Sequence, residues 1–131
     1  MKLVRSVNNF DFLCDALADA SACASAISEM TEKFVLITCE KSNFSNTKEL
    51  IKNKCKALFY IGKPDADIMF ELRSVVPFIM QTESLEEAIM LASHYKVNDV
   101  NKIVFIPGVD SCQGLSANEL TEKFKSIVIN I

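Results

Sequence analysis

Apolar and polar positions change their period several times along this chain, and each change marks an element. Residues 3–7 (LVRSV) and 10–14 (FDFLC) are short strand-like runs separated by Asn8 and Asn9, a turn-prone pair, and they predict a hairpin. Residues 14–27 (CDALADASACASAI) carry Ala at every even position from Ala16 to Ala26. A period of two ordinarily signals a strand, but Ala is the strongest helix former and is depleted in strands. The segment is therefore expected to be a helix with few large side chains, with Asp15 at its entrance. Residues 33–39 (KFVLITC) form a compact, β-branched run that predicts a buried strand. Asn46 and Glu49 then suit a helix start, with Leu50 and Ile51 supplying a modest apolar face through about Lys54.

The second half repeats the alternation. Residues 56–62 (KALFYIG) predict another buried strand, and residues 65–73 after Pro64 a short helix with Ile68, Met69 and Leu72 on one side. Residues 76–80 (VPFIM) and 102–108 (KIVFIPG) are the remaining strand candidates. Ser84 with Glu87, and Ser116 with Glu119, have the spacing of capping boxes. The first opens a helix facing the core with Leu85, Ile89, Ala92 and Tyr95, or with Leu85, Ala88 and Ala92. The second opens one with Leu120, Phe124, Ile127 and Val128 at helical spacing.

Strand and helix thus alternate about five times with short connections, which predicts an α/β fold. The expected architecture is a Rossmann-like three-layer sandwich with a mainly parallel sheet of about six strands and a short N-terminal hairpin. Residues 1–131 read as one domain, without linker, repeat or low-complexity tract. In such sheets ligands bind beyond the carboxyl ends of the strands, so the loops starting at Cys14, Thr38, Gly62, Met80 and Pro107 are expected to form the mouth.

Composition narrows the function classes. The chain has 131 residues, half of them hydrophobic, with three glycines and three prolines, which suits a packed domain and not a disordered one. Its net charge is −3 with both signs interspersed and no basic run, so neither nucleic acid nor a membrane surface is an expected partner. Five cysteines (Cys14, Cys23, Cys39, Cys55, Cys112) form no C-x-x-C, which excludes zinc-ribbon and thioredoxin readings. The odd count and an opening without a signal-peptide pattern lead us to expect reduced, mostly buried thiols in the cytoplasm, and Met1 with its clean start suggests a complete small protein.

Candidate chemistry is sparse. A phosphate cradle needs clustered glycines, and Gly62, Gly108 and Gly114 are isolated. Gly62-Lys63-Pro64 lacks the upstream Gly of a P-loop and has Pro where Ser or Thr would hold magnesium, so it reads as a tight turn. His94, the only histidine, is explained as a group near a helix C-terminus. Met69, Met80 and Met90 read as filling, and the acidic pairs Glu86/Glu87 and Asp65/Asp67 as helix-start residues. Asp110-Ser111-Cys112-Gln113 is the most polar cluster on the ligand-facing edge, although a plain loop is the simpler reading. No metal site is expected.

Read in order, these pieces resemble the C-terminal domain of the Mur ligases, most of all their D-glutamate-adding branch. LVRSVNNFDFLCDALAD follows that domain's opening hairpin and its N-D-S-K-A-T-N signature. VLITCEKSNFS stands at the family's strand and G-G-x-D-K-G. KALFYIG and QTESLEEAIMLA match the next strand and the E-S-L-E-E-A helix. IVFIPGVDSC falls at the strand ending S-P-A-C-A-S-F-D, and ELTEKFKSIV matches the closing helix. The resemblance implies ligand contacts from Asp15, Lys41 and Ser111, the polar side chains that survive at those places. It also shows erosion. Cys14 replaces the signature's Asn, Ala16 its Ser and Leu17 its Lys; Cys39 and Glu40 replace two glycines, and Ile106 replaces the Ser that would hold a substrate carboxylate.

Mur ligases carry their P-loop and magnesium ligands in a separate central domain, for which 131 residues leave no room. The resemblance and its erosion together predict a stand-alone, non-catalytic Mur-ligase C-terminal-like domain, with no cofactor and no catalytic residue of its own. It would bind a protein partner, a second copy of itself or a small molecule. The alternative is the amino-acid- and nucleotide-contacting part of an ATP-dependent peptidoglycan ligase, using ATP and magnesium only with a separate ATP-binding domain.

Overall fold

The computed structural model describes residues 2–14, 25, 27–39, 51–63, 66–95, 99–107 and 114–131. Its strands are β1 (Lys2–Val7), β2 (Phe10–Cys14), β3 (Phe34–Cys39), β4 (Cys55–Ile61), β5 (Ile79–Thr82) and β6 (Lys102–Ile106). Its helices are α1 (Ala66–Arg73), α2 (Leu85–His94) and α3 (Ala117–Ile129).

The hairpin forms where the sequence places it. Asn8 and Asn9 have φ of 53° and 69°, and asparagine tolerates this left-handed region better than most residues. The six strands lie in the order β1-β2-β6-β3-β4-β5, with β1 antiparallel to β2 and every other pair parallel.

Strand β3 is buried at all six positions, as a central strand covered on both faces must be. Val35, Ile37 and Cys39 face one core with Phe12, Phe59 and Phe105, under Leu85, Ala88, Ile89 and Ala92 of α2 and Leu120, Phe124 and Val128 of α3. Phe34 and Leu36 face the other core with Leu58, Tyr60 and Val104, under Leu72 of α1, Val75, Val76, Ile27 and Ile51. Helical residues on both faces of a largely parallel sheet make the predicted three layers.

The caps explain where two helices begin. Ser116 Oγ accepts from the Glu119 N–H at 3.2 Å while the Glu119 carboxylate accepts from the Ser116 N–H at 3.1 Å, a complete capping box. Ser84 Oγ accepts from the Glu87 N–H at 3.1 Å. Glu86 does more than favour the helix start: its carboxylate lies 2.9 Å from Lys123 Nζ and ties α2 to α3. At the far end of α3, the Arg5 guanidinium donates to the carbonyls of Val128, Ile129 and Ile131, so β1 is tied to the last turn of that helix.

One boundary differs from expectation. The strand predicted over 76–80 starts only at Ile79. Val76 instead closes α1, its N–H donating to the Leu72 carbonyl at 2.9 Å, and both Val75 and Val76 are buried in the second core. An apolar run reports burial, and helix ends and strands are buried alike. The predicted helices over 14–27 and 46–54 lie largely outside the described residues, where only Ser25, residues 27–29 and Ile51 are helical. Among the described residues, no helix is long and apolar enough to cross a membrane.

Candidate functional site

The carboxyl edge of the sheet follows from the strand order. β3 and β6 are neighbours, yet the chain leaves them toward opposite faces. After β6 it reaches α3 over the first core, and after β3 it reaches Ile51 in the second. Such a divergence is the switch point at which open α/β sheets form a crevice. The strand tips beside it are tied together: Thr38 Oγ1 donates to the Ile106 carbonyl at 2.9 Å, and Cys14 stands in register with Phe105. Farther along the edge, Gly62 takes φ of 92° and its N–H donates to the Thr82 carbonyl at 2.9 Å. That conformation suits glycine and supports the reading of a tight turn.

Asp15, Lys41 and Ser111, the candidate contacts, lie outside the described residues, as does the Asp110–Gln113 cluster. The described tips that precede them are apolar and closed. Cys14 is 1 % exposed, Cys39 0 % and Ile106 2 %. Cys14, Cys39 and Cys55 are buried, as expected of small hydrophobes, and burial pushes the Cys55 thiol up to about 12, which makes it inert. His94 ends α2 with Nδ1 2.7 Å from the Met90 carbonyl, so the ring binds back onto its own last turn. Among the described residues no group of three His, Cys, Asp or Glu side chains could hold a metal ion.

A cleft of about 730 Å³ lies at the opposite, amino end of the sheet. The β1–β2 turn contributes Asn8 and Asn9, the approach to β3 contributes Thr31, Glu32 and Lys33, and the approach to β6 contributes Asp99 and Asn101. Phe10 and Val100, 7 % and 8 % exposed, lie at its floor and belong to the first core. A smaller hollow of about 240 Å³ shares Thr31 and Glu32 and is bounded also by Leu13, Met30 and Lys102.

Beside these hollows, parallel pairing of β2 with β6 sets Asp11 opposite Lys102. Lys102 Nζ bonds the Asp11 carboxylate, Ser6 Oγ donates to it as well, and Glu32 lies 3.8 Å from the same ammonium. The Lys102 hydrogen bond, followed by that of Ser6, holds the Asp11 carboxyl below its ordinary range, and the same bond raises Lys102.

The carboxylate's folded value is depressed. Its contribution to stability is therefore complete above the unfolded value near pH 4 and is lost as pH falls through the folded one. Lys102 is raised, so its contribution is complete below the unfolded value near pH 10.4 and fades as pH rises through the folded one. Replacing Asp11 with Asn is expected to lower stability by about 1 kcal/mol at neutral pH, because the pair is partly exposed. Urea titrations from pH 7 to pH 2 check this: the variant and parent should converge in acid. A constant gap would show that the ionised pair contributes nothing.

The sequence reading missed the amino-end cleft. Its signals were Asn8-Asn9 before β2 and Asp99-Val100-Asn101 before β6, which pass for ordinary turn residues until the strand order brings them together.

No family model matches the chain, and no curated protein matches it. Twenty-one solved chains do match. One is a domain from a Haemophilus ducreyi protein described as a UDP-N-acetylmuramate:L-alanyl-gamma-D-glutamyl-diaminopimelate ligase. The likeness has a TM-score of 0.60, covers 95% of this chain and 96% of that one, and comes with 11% sequence identity. The chain thus has the fold of a Mur-ligase domain, which agrees with the resemblance in its motifs at the level of architecture and without singling out one member of that family.

Proposed function

We propose that this chain is a non-catalytic Mur-ligase-like domain acting in the cytoplasm as a binding or interaction module. The observation that carries the reading is the state of the strand tips at the switch point. Where the resemblance implies Asn, Gly and Ser, the chain has Cys14, Cys39 and Ile106, all buried in apolar cores. Inaccessible thiols and an aliphatic side chain supply no hydrogen bonds to a phosphate or a substrate carboxylate. Phosphoryl transfer depends on positioned cations and donors around the phosphates. Fold alone does not bring that chemistry with it.

Thermal unfolding with magnesium-ATP and with D-glutamate, each at millimolar concentration, tests the reading. A ligand that binds only the native state must raise its Tm. The expected result is a shift below about 1 °C for either ligand. A rise of several degrees would overturn the proposal and favour the alternative, a ligase part that contacts amino acid and nucleotide and is completed by a separate ATP-binding domain.

A further inference from the structure

We infer that the cleft at the amino end of the sheet binds a neutral, hydroxyl-rich ligand of the saccharide class. This goes beyond the proposed function, which rests on the opposite end of the sheet.

Among the described residues, the functional groups lining the cleft are mostly neutral and polar. Asn8, Asn9 and Asn101 bring three side-chain amides to its wall, and Thr31 adds a hydroxyl. Each amide offers a donor and an acceptor side by side. Adjacent hydroxyls on a sugar ring offer the complementary pair, because each both donates and accepts. Phe10 and Val100 lie beneath these groups as a nearly buried apolar floor, so the polar side chains of the rim make the contacts.

Charge selects against anions. Asp99 and Glu32 are acidic, and Lys33 is the one basic residue among the described residues of the lining. The nearby Lys102 ammonium is already engaged by Asp11 and Glu32. Among the described lining residues a phosphate or carboxylate would face more negative than positive charge, whereas a carboxylate accepts well from a neutral hydroxyl. The volume of about 730 Å³ lies within the usual range for small-molecule sites.

The wall is also set by backbone geometry. Asn8, Asn9 and Asp99 have φ of 53°, 69° and 67°, the three positive values among the described non-glycine residues, and all three line the cleft. These tight turns place polar side chains at a fixed edge; they shape the wall and do not by themselves identify the ligand.

The test is titration of the 15N-labelled chain with maltose, cellobiose, lactose and N-acetylglucosamine, followed by amide correlation spectra, with inorganic phosphate as the anionic control. At least one saccharide should give saturable shifts centred on Asn8, Asn9, Val100 and Asn101, with Kd in the range of about 1–10 mM. Phosphate should give none there. Asn101→Ala and Thr31→Ala each remove an exposed side chain outside the strands and should weaken binding roughly two- to tenfold, the equivalent of one hydrogen bond. Their Tm serves as the folding control. Absence of saturable shifts with all four sugars, a response to phosphate alone, or unchanged affinity in both variants would overturn the inference. Each of these outcomes is separable from the ATP and D-glutamate result.

Discussion

Replacing Phe124 with alanine is expected to cost about 3–5 kcal/mol of unfolding free energy, a large share of a small domain's stability. Phe124 is fully buried on the inner side of α3. Its ring stacks on Phe105 of β6 at 4.9 Å and lies 6.4 Å from Phe12 of β2. The lost side chain leaves a cavity that faces two strands and cannot be refilled by collapse of one neighbour. Urea unfolding should show a lower midpoint with an unchanged slope. A cost below about 1 kcal/mol would mean that α3 does not cover β2 and β6.

The second large effect concerns neighbouring residues on β3. Leu36 and Ile37 point to opposite faces, and each is 0 % exposed. Leu36→Ala and Ile37→Ala are each expected to cost about 2–5 kcal/mol. A sheet with one wet face would give one large and one small value, because alternate residues would meet core and water. Two large values measured by the same urea protocol are the signature of helices on both faces. A near-neutral result for either would remove one outer layer from the fold.

The two ends of the sheet differ in what they offer a ligand. At the carboxyl end the described tips of β2, β3 and β6 are closed by Cys14, Cys39 and Ile106. At the amino end the approaches to the same three strands leave an open cleft with amide, hydroxyl and charged side chains among its lining residues. A parallel sheet brings its three central strand starts together as surely as its strand ends. Which end is used depends on the side chains in the connections, and a shared fold does not dictate those.

Much of the architecture was legible because burial leaves a local record. The run KFVLITC predicts a buried strand, and β3 is buried at every position. Ser116 and Glu119 predict a helix start, and their reciprocal bonds form it. Asn8 and Asn9 predict a tight turn, and both adopt left-handed φ. In each case the physical cause lies within a few residues. The end of α1 and the start of β5 were not separable, because Val75 and Val76 are apolar whether a helix closes or a strand opens.

The sequence by itself determined the succession of elements, the faces they bury and the eroded polar positions after the strands. Only the tertiary structure decided that β6 inserts between β2 and β3. That insertion sets Asp11 against Lys102, 91 residues later, and gathers Asn8, Thr31 and Asn101 around one cleft. The reason is physical. A hydrophobic period records whether a residue leaves water, which is local. The choice of strand neighbour is settled by packing between segments far apart in the chain, and no local pattern encodes it.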